Sequence, residues 1–229
     1  SPNTLTDFIK WSASNYPADR YELVLWNHGG GTALGFGYDE MYPDDMLSLS
    51  QIGNALSDSG IKFDIVGFDA CLMGTIETAY MLEPYADYLV ASEEYEPGTG
   101  WYYSEWLKNL SDNTSMPTVE IGKKIVEDYI NGPDSSFFDS NTLSIVDLRE
   151  IPYTYSKLCE IMQQEEGVLD SRYSVISQAR YNAKSFGDGE YEQIDIKSYL
   201  EECGKSDTEL DKVLRSAVKY SGSSSYNSN

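Results

Sequence analysis

Four short apolar runs, separated by segments with helical spacing, constrain the fold of this chain more than any other feature. They lie at residues 21–26, 63–68, 88–92 and 143–147. Their length and composition are typical of buried strands, and turn or loop residues follow them. Helices are predicted at residues 4–16, 49–58, 72–82, 117–131, 148–166, 171–186 and 207–220, with a further short segment at 194–203. Alternating strands and helices predict an α/β fold in which helices cover both faces of a mostly parallel sheet.

Composition and charge limit the classes of function. The chain has 229 residues, of which 41% are hydrophobic, enough for one domain with a sizeable core. We place this single domain at residues 1–220 and expect a disordered, Ser/Asn-rich tail at 221–229. The net charge of −22 disfavours nucleic acid and anionic membranes as partners and favours cationic ones, unless it serves only solubility. No apolar run approaches the ~18 residues that a membrane-spanning helix needs.

The cysteines and the first residues indicate little about the compartment. Cys71, Cys159 and Cys203 are too few for a disulfide scaffold. Cys159 and Cys203 are either paired or free, and their spacing leaves both options open. The chain begins at Ser1 without an initiator methionine or a signal-peptide pattern, so we expect a processed or truncated chain. No pattern indicates the oligomeric state.

The only histidine, His28, and one of the cysteines, Cys71, each follow a predicted strand. His28 comes directly after the first apolar run in the sequence WNHGGG, and Cys71 ends the sequence FDAC after the second run. Functional groups in parallel sheets gather at the carboxyl ends of the strands, where the acidic and aromatic loop at 92–102 also begins. We therefore expect these three features at one edge of the sheet.

A cysteine and a histidine at one edge are the components of a thiol nucleophile with its base. A helix predicted to begin directly after Cys71 would stabilise its thiolate, because a helix N-terminus carries partial positive charge. The imidazole of His28 would take the proton and return it to a leaving amine. The N–H groups of Gly29 and Cys71 are candidates for holding an oxyanion, and the glycines at 29–31 allow close approach of a substrate carbonyl. Together these groups indicate acyl transfer.

Other interpretations fit the same residues. Cys71 fits an inert buried residue, His28 a turn cap, and Asp69 the N-cap of the following helix. The 19 tyrosines and four tryptophans suit a non-catalytic domain that binds peptides or glycans on the same fold. A hydrolase built on a carboxylate pair would use the glutamates of residues 93–96, although neighbouring residues on an extended strand face opposite ways.

Three sequence blocks resemble one known family. The blocks LWNHG (residues 25–29), GFDACLMG (67–74) and EPGTGW (96–101) resemble, in this order, the clostripain family of bacterial endopeptidases. That family belongs to a clan of cysteine peptidases that also includes caspases, legumains, gingipains and separase. The resemblance covers roughly residues 1–105, and residues 106–229 fit the continuation with weaker motifs. It implies a caspase-like three-layer α/β/α sandwich and a cysteine endopeptidase that cleaves after Arg or Lys.

The resemblance also implies roles for individual residues. His28 is expected to be the general base and acid, Cys71 the nucleophile, and the amides of Gly29 and Cys71 the oxyanion hole. The carboxylate of Asp69 would pair with a guanidinium or ammonium group of the substrate. The pocket for the residue before the scissile bond is expected to contain Asp69, Thr99 and Trp101.

Two features depart from the family pattern. Thr99 stands where basic-specific members carry a second pocket acid, and a glutamate within residues 93–96 is the candidate substitute. Between His28 and Cys71 the only basic residue is Lys62, so the segment at 35–47 offers no basic site for self-cleavage. The family's first strand would precede residue 1.

Cofactor and location follow from the resemblance alone. The sequence requires no cofactor, and family analogy makes calcium a candidate. Its candidate oxygen ligands are Asp39, Glu40, Asp44 and Asp45. Their spacing differs from that of an EF-hand, which favours a solvated acidic loop over a metal site. We expect a secreted, periplasmic or cell-surface bacterial protein that acts on protein or peptide substrates.

Overall fold

A five-stranded sheet with ten helices around it makes up the described part of the protein. The computed structural model describes residues 1–39, 41–42, 45–132, 141–166, 169–187, 193–205 and 208–224. The strands are β1 (Glu22–Trp26), β2 (Phe63–Asp69), β3 (Ala86–Ala91), β4 (Thr142–Asp147) and β5 (Val218–Ser223). The helices are α1 (Pro2–Asn15), α2 (Gly31–Leu34), α3 (Leu49–Ser59), α4 (Ile76–Leu82), α5 (Tyr103–Asp112), α6 (Thr118–Asn131), α7 (Ile151–Glu166), α8 (Leu169–Asn182), α9 (Ile196–Glu202) and α10 (Thr208–Ala217).

The sheet is mixed, and most of its strands run in one direction. The strand order is β1-β2-β3-β4-β5. The first three strands pair in parallel, with Trp26 opposite Asp69 at the carboxyl ends of β1 and β2. β4 runs antiparallel to both of its neighbours, so β5 has the same direction as β1–β3. The carboxyl ends of β1, β2 and β3 therefore share one edge, as the sequence predicted.

Each face of the sheet carries its own core. On one face Phe68 and Leu89 pack with residues of α1, α3 and α4, and Leu56 is fully buried there. On the other face Ile65 and Ile145 pack with α5 and α6. Successive strand residues point to opposite faces, so a sheet covered on both sides needs apolar runs without polar alternation. This arrangement confirms the predicted three-layer α/β/α architecture.

The last four helices form a third, smaller cluster. Each of these helices contributes buried side chains, among them Ile161 of α7, Ala179 of α8, Tyr199 of α9 and Leu210 of α10. Cys203 is buried in this cluster, and all three cysteines are free thiols. The sequence left open whether Cys159 and Cys203 are paired or free, and the structure has both of them free. Within the described ranges, every helix is too short or too polar to cross a membrane.

The C-terminal part of the chain differs from the prediction. The predicted helix at 207–220 and the predicted disordered tail at 221–229 are wrong for residues 218–223, which form β5. These residues extend the sheet by pairing with β4. The serine- and glycine-rich composition permits close packing, since a Cβ on Gly222 would lie 2.7 Å from Cγ1 of Ile130 in α6. Residues 225–229 of the predicted tail lie outside the described residues.

The start of α4 also differs from the prediction, which began the helix at residue 72. The helix begins at Ile76, and the Oγ1 of its N-cap Thr75 accepts the backbone N–H of Thr78 at 3.1 Å. The preceding amides have other partners. The Leu72 N–H donates to the carbonyl of Glu94 at 3.1 Å, and that of Gly74 to the carbonyl of Ser92 at 2.7 Å. The loop after β3 therefore holds this segment in an extended turn.

Candidate active site

The residues predicted to carry the chemistry follow adjacent strands. His28 follows β1, Cys71 follows β2, and the loop at 92–102 follows β3. The Asn27 N–H donates to the carbonyl of Asp69 at 3.3 Å, which continues the pairing of β1 with β2 beyond the sheet. The structure thus brings the two segments side by side at the predicted edge.

Gly29 forms the closest approach between these two segments. A Cβ built on Gly29 would lie only 2.2 Å from the carbonyl oxygen of Cys71 and 3.2 Å from Cβ of Ala70. Only glycine fits such a contact without backbone movement. Within the described part of the chain, neither the Gly29 N–H nor the Cys71 N–H donates to a protein acceptor. Both amides therefore remain available to a ligand.

His28 is exposed and lies against one aromatic ring. The ring of Tyr38 packs edge-on to the imidazole, with 5.8 Å between the ring centroids. The backbone of His28 is held on both sides, since its N–H donates to Oδ1 of Asn27 at 2.6 Å and its carbonyl accepts from Gly37 at 2.9 Å. The imidazole has no hydrogen-bond partner among the described residues, so both ring nitrogens are open to a ligand.

The environment of Cys71 differs from the one predicted. Because α4 begins at Ile76, the prediction of a helix that begins directly after Cys71 is wrong. The backbone of Glu96 contacts the thiol instead. Its N–H donates to Sγ of Cys71 at 3.2 Å, and the thiol lies 3.7 Å from its carbonyl oxygen. Sγ of Cys71 therefore has a backbone donor and a backbone acceptor, both from Glu96.

Asp69 is the buried acid at the carboxyl end of β2, with 2% of its surface exposed. Its Oδ2 accepts the backbone N–H of Trp101 at 3.0 Å and the hydroxyl of Tyr103 at 2.7 Å. Gly100 packs on the carboxylate in a left-handed conformation, with φ of 67°, and a Cβ there would lie 2.8 Å from Oδ2. Both of these donors bind Oδ2 rather than Oδ1.

Glu96 places a second carboxyl group beside Asp69. Its Oε1 accepts the indole N–H of Trp101 at 3.4 Å, whereas its Oε2 is buried and has no partner among the described residues. Burial raises the pKa of Glu96 well above its usual value, and the negative charge of Asp69 raises it further. A hydrogen bond between the Glu96 and Asp69 side chains also raises this pKa, so the two groups form a buried pair of acids.

The two other predicted pocket residues have different positions. Thr99 is exposed. Trp101 is 3% exposed and its ring packs against β2, where a Cβ on Gly67 would lie 2.8 Å from the ring. Trp101 therefore belongs to the core and reaches the acids only through its N–H groups. The prediction missed Gly100 and Tyr103, although a second glycine and a further aromatic residue in this loop were available as signals.

The glutamates preceding Glu96 have separate structural partners. Glu93 Oε1 accepts the Ser144 hydroxyl at 2.8 Å, and burial raises the pKa of Glu93. Glu94 Oε1 accepts the N–H groups of Tyr95 at 3.0 Å and of Gly187 at 2.7 Å. Their hydrogen bonds tie these two side chains to different parts of the fold, which disfavours the alternative of a hydrolase built on a carboxylate pair.

The candidate calcium ligands fall partly outside the described residues, since Glu40 and Asp44 lie there. Asp39 accepts the N–H of Met41 at 2.8 Å, so that its carboxylate closes a local turn. Across the ranges that the structure describes, no three His, Cys, Asp or Glu side chains are grouped to hold a metal ion. Calcium therefore stays a prediction from the family resemblance.

The chain is similar in sequence and in structure to known proteins. Clostripain from Hathewaya histolytica is 36% identical over 122 aligned residues, and the match covers 45% of this chain and 23% of that protein. A secreted C11 cysteine protease from Bacteroides thetaiotaomicron, solved with an irreversible peptide inhibitor, superposes with a TM-score of 0.75 at 20% identity. This match covers 97% of the present chain and 63% of that one. An inactive zymogen C11 protease from Parabacteroides distasonis gives 0.69 at 20% identity, over 98% and 62% of the two chains.

These structures share the fold, and the chain spans less than two thirds of each of these relatives. The family itself is shown by a match to the whole-domain sequence pattern. The model of the clostripain family matches residues 1–225. Because this match covers almost the whole chain, the chain belongs to the clostripain family.

Proposed function

We propose that this chain is a cysteine endopeptidase in which Cys71 is the nucleophile and His28 its base. The observation that carries the proposal is the packing of Gly29 against the Cys71 carbonyl, where a Cβ would lie 2.2 Å from the oxygen. This contact puts the segment with the imidazole next to the segment with the thiol. Membership of the clostripain family supports the same class of reaction.

The proposed reaction has two steps. Sγ of Cys71 attacks the carbonyl carbon of the scissile bond while His28 takes the thiol proton. The N–H groups of Gly29 and Cys71 stabilise the oxyanion, and one such donor contributes a factor of about 10²–10³ in rate. The imidazolium then protonates the leaving amine. In the second step water, activated by His28, hydrolyses the thioester and restores the thiol.

The proposed substrate has Arg or Lys before the scissile bond. The donors of Trp101 and Tyr103 bind neither Oδ1 of Asp69 nor Oε2 of Glu96. A guanidinium group carries five N–H donors in a planar fork, which suits two acceptors from different carboxylates. Glu96 thus supplies the second acid that Thr99 does not. We further propose secretion, because one similar structure is that of a secreted protease solved with a peptide inhibitor.

The dyad is tested by covalent labelling with a peptidyl electrophile that carries Arg before the reactive carbon. We expect labelling of the wild type and of Cys159→Ala, a control that removes another partly exposed free thiol. Cys71→Ala should lose all labelling, and His28→Ala should lose about 10²–10⁴-fold in kcat/KM. Equal labelling of Cys71→Ala and wild type would refute the nucleophile assignment. A wild type that binds peptides without cleaving any would favour the non-catalytic alternative.

The pocket is tested by profiling a peptide library with Asp69→Asn and Glu96→Gln. Each change removes one acceptor for a cationic side chain, so we expect kcat/KM for Arg substrates to fall by at least ~10-fold. Glu105→Gln is the matched control, because it removes an exposed carboxylate on α5 and changes the net charge equally. An unchanged preference for Arg and Lys in both pocket variants would refute the pocket assignment.

A further inference from the structure

A hairpin between α8 and α9 connects the C-terminal helices to the candidate site. Its described residues are 184–187 and 193–195, and Ser185 and Ile194 form an antiparallel bridge. The two helices belong to the third hydrophobic cluster, separate from the two cores that cover the sheet. The hairpin is therefore the point where this helical unit meets the segment that carries the nucleophile.

Gln193 makes the first of two contacts between the hairpin and the site. Its Nε2 donates to the carbonyl oxygen of Leu72, the residue after the nucleophile, at 3.0 Å. The amide lies directly against Gly31, where a Cβ would be 1.7 Å from Nε2. The side chain of Gln193 thus lies between the glycine turn that follows His28 and the turn that follows Cys71.

Gly187 makes the second contact. Its N–H donates to Oε1 of Glu94 at 2.7 Å, and Glu94 is 8% exposed. The backbone carbonyl of the same glutamate accepts the Leu72 N–H at 3.1 Å. Both polar groups of the Leu72 backbone therefore have partners, one from the hairpin and one from a residue that the hairpin holds.

Leu72 has an unusual backbone conformation. Its φ is 65°, and it is the only non-glycine residue with positive φ in the described ranges. Such a conformation is strained for a residue with a Cβ and persists only where surrounding contacts enforce it. The Leu72 side chain is fully buried, so the turn is packed within the protein. Because Leu72 directly follows Cys71, rotation about its N–Cα bond turns the peptide group that contains the Cys71 carbonyl.

We propose that Gln193 is a positioning residue that holds the strained Leu72 turn and thereby orients Cys71. The C-terminal helical unit is then part of the catalytic apparatus, although it contributes no group to the reaction itself. This inference rests on the proposed role of Cys71 as nucleophile. It predicts that losing the Nε2 donor lowers the reactivity of the thiol without weakening the binding of the substrate.

The test compares three variants of the full chain. Gln193→Met keeps most of the side-chain volume without the donor, and we expect kcat to fall about tenfold or more with KM nearly unchanged. Gln193→Glu lacks the donor when ionised but regains one when protonated. Its activity relative to wild type should therefore rise as the pH is lowered from about 8 to about 5, whereas the relative activity of Gln193→Met stays flat. Gln178→Ala is the control, since the side chain of this exposed residue donates to Asn182 on the same helix.

A second readout does not depend on peptidase activity. The rate of alkylation of Cys71 by iodoacetamide reports the position and state of the thiol even if no peptide is cleaved, so failure of the proposed function is recognised separately. We expect the same order of variants in this rate. Wild-type rates for Gln193→Met would overturn the inference. The inference would also be overturned if the variants lost activity because they unfold and if Gln193→Glu did not recover at low pH. That result would indicate that Gln193 is a purely structural residue.

Discussion

Replacing Gly29 by Ala tests whether the approach of the two site segments matters for catalysis. The added Cβ would lie 2.2 Å from the carbonyl oxygen of Cys71, and real Cβ contacts essentially never fall under 3.0 Å. The segments must therefore separate by at least 3.0 − 2.2 = 0.8 Å. Because the opposing atom belongs to the backbone, no side-chain rotation can relieve the overlap.

A displacement of about 1 Å between reacting groups costs on the order of 10²-fold in rate, which corresponds to about 2.7 kcal/mol in the activation free energy. We expect Gly29→Ala to lower kcat/KM for an Arg peptide by this amount while the protein stays folded. Gly53→Ala in α3 is the matched control, because its Cβ would find Met81 at an ordinary 3.4 Å. Thermal unfolding of both variants separates loss of geometry from loss of fold. A Gly29→Ala protein with activity within about twofold of the wild type would refute the reasoning.

Three further outcomes concern Glu22, Gly222 and Glu96. Burial raises the pKa of Glu22 from 4.5 to about 7, so the folded protein favours the protonated carboxyl group. The contribution of this group to stability is fully present below pH 4.5 and is lost as the pH rises through 7. Glu22→Gln should therefore raise the free energy of unfolding at about pH 8 by up to ~3 kcal/mol and have little effect at about pH 4.5, as measured by denaturant titration. Gly222→Ala should destabilise the protein by about 1–3 kcal/mol, because its Cβ would overlap Ile130; an unchanged melting temperature would contradict this packing. Glu96→Gln should abolish the tightening of guanidinium binding that is expected as the pH rises through the raised pKa of Glu96, measured as an inhibition constant.

The sheet and the edge that carries the site could be predicted from local patterns. β1, β2 and β4 coincide closely with apolar runs, and each run ends where glycine, aspartate or a polar turn begins. Parallel strands with the same direction end at one edge of the sheet, so the segments that carry His28 and Cys71 could be placed there once the strands were recognised. The general position of the site therefore required no knowledge of long-range contacts.

The details that the sequence did not reveal depend on distant hydrogen bonds. Residues 72–75 have helical spacing, yet the backbone amides of Leu72 and Gly74 donate to carbonyls beyond β3 and leave the helix to begin at Ile76. β5 has the composition of a linker, and only its pairing with β4 makes it a strand. Local propensity is a weak guide where partners far along the chain satisfy the backbone.

The pocket acid shows why a motif position and a physical role can separate. The family pattern points to Thr99, which is exposed, whereas the second carboxyl group beside Asp69 belongs to Glu96, three residues earlier in the same loop. The main chain of Glu96 also donates to the thiol of Cys71. Glu96 therefore contacts Cys71 through its backbone and Asp69 through its side chain. Removing its carboxylate leaves the N–H in place, so the two roles can be separated: Glu96→Gln should weaken cation binding while the alkylation rate of Cys71 in the free protein changes little.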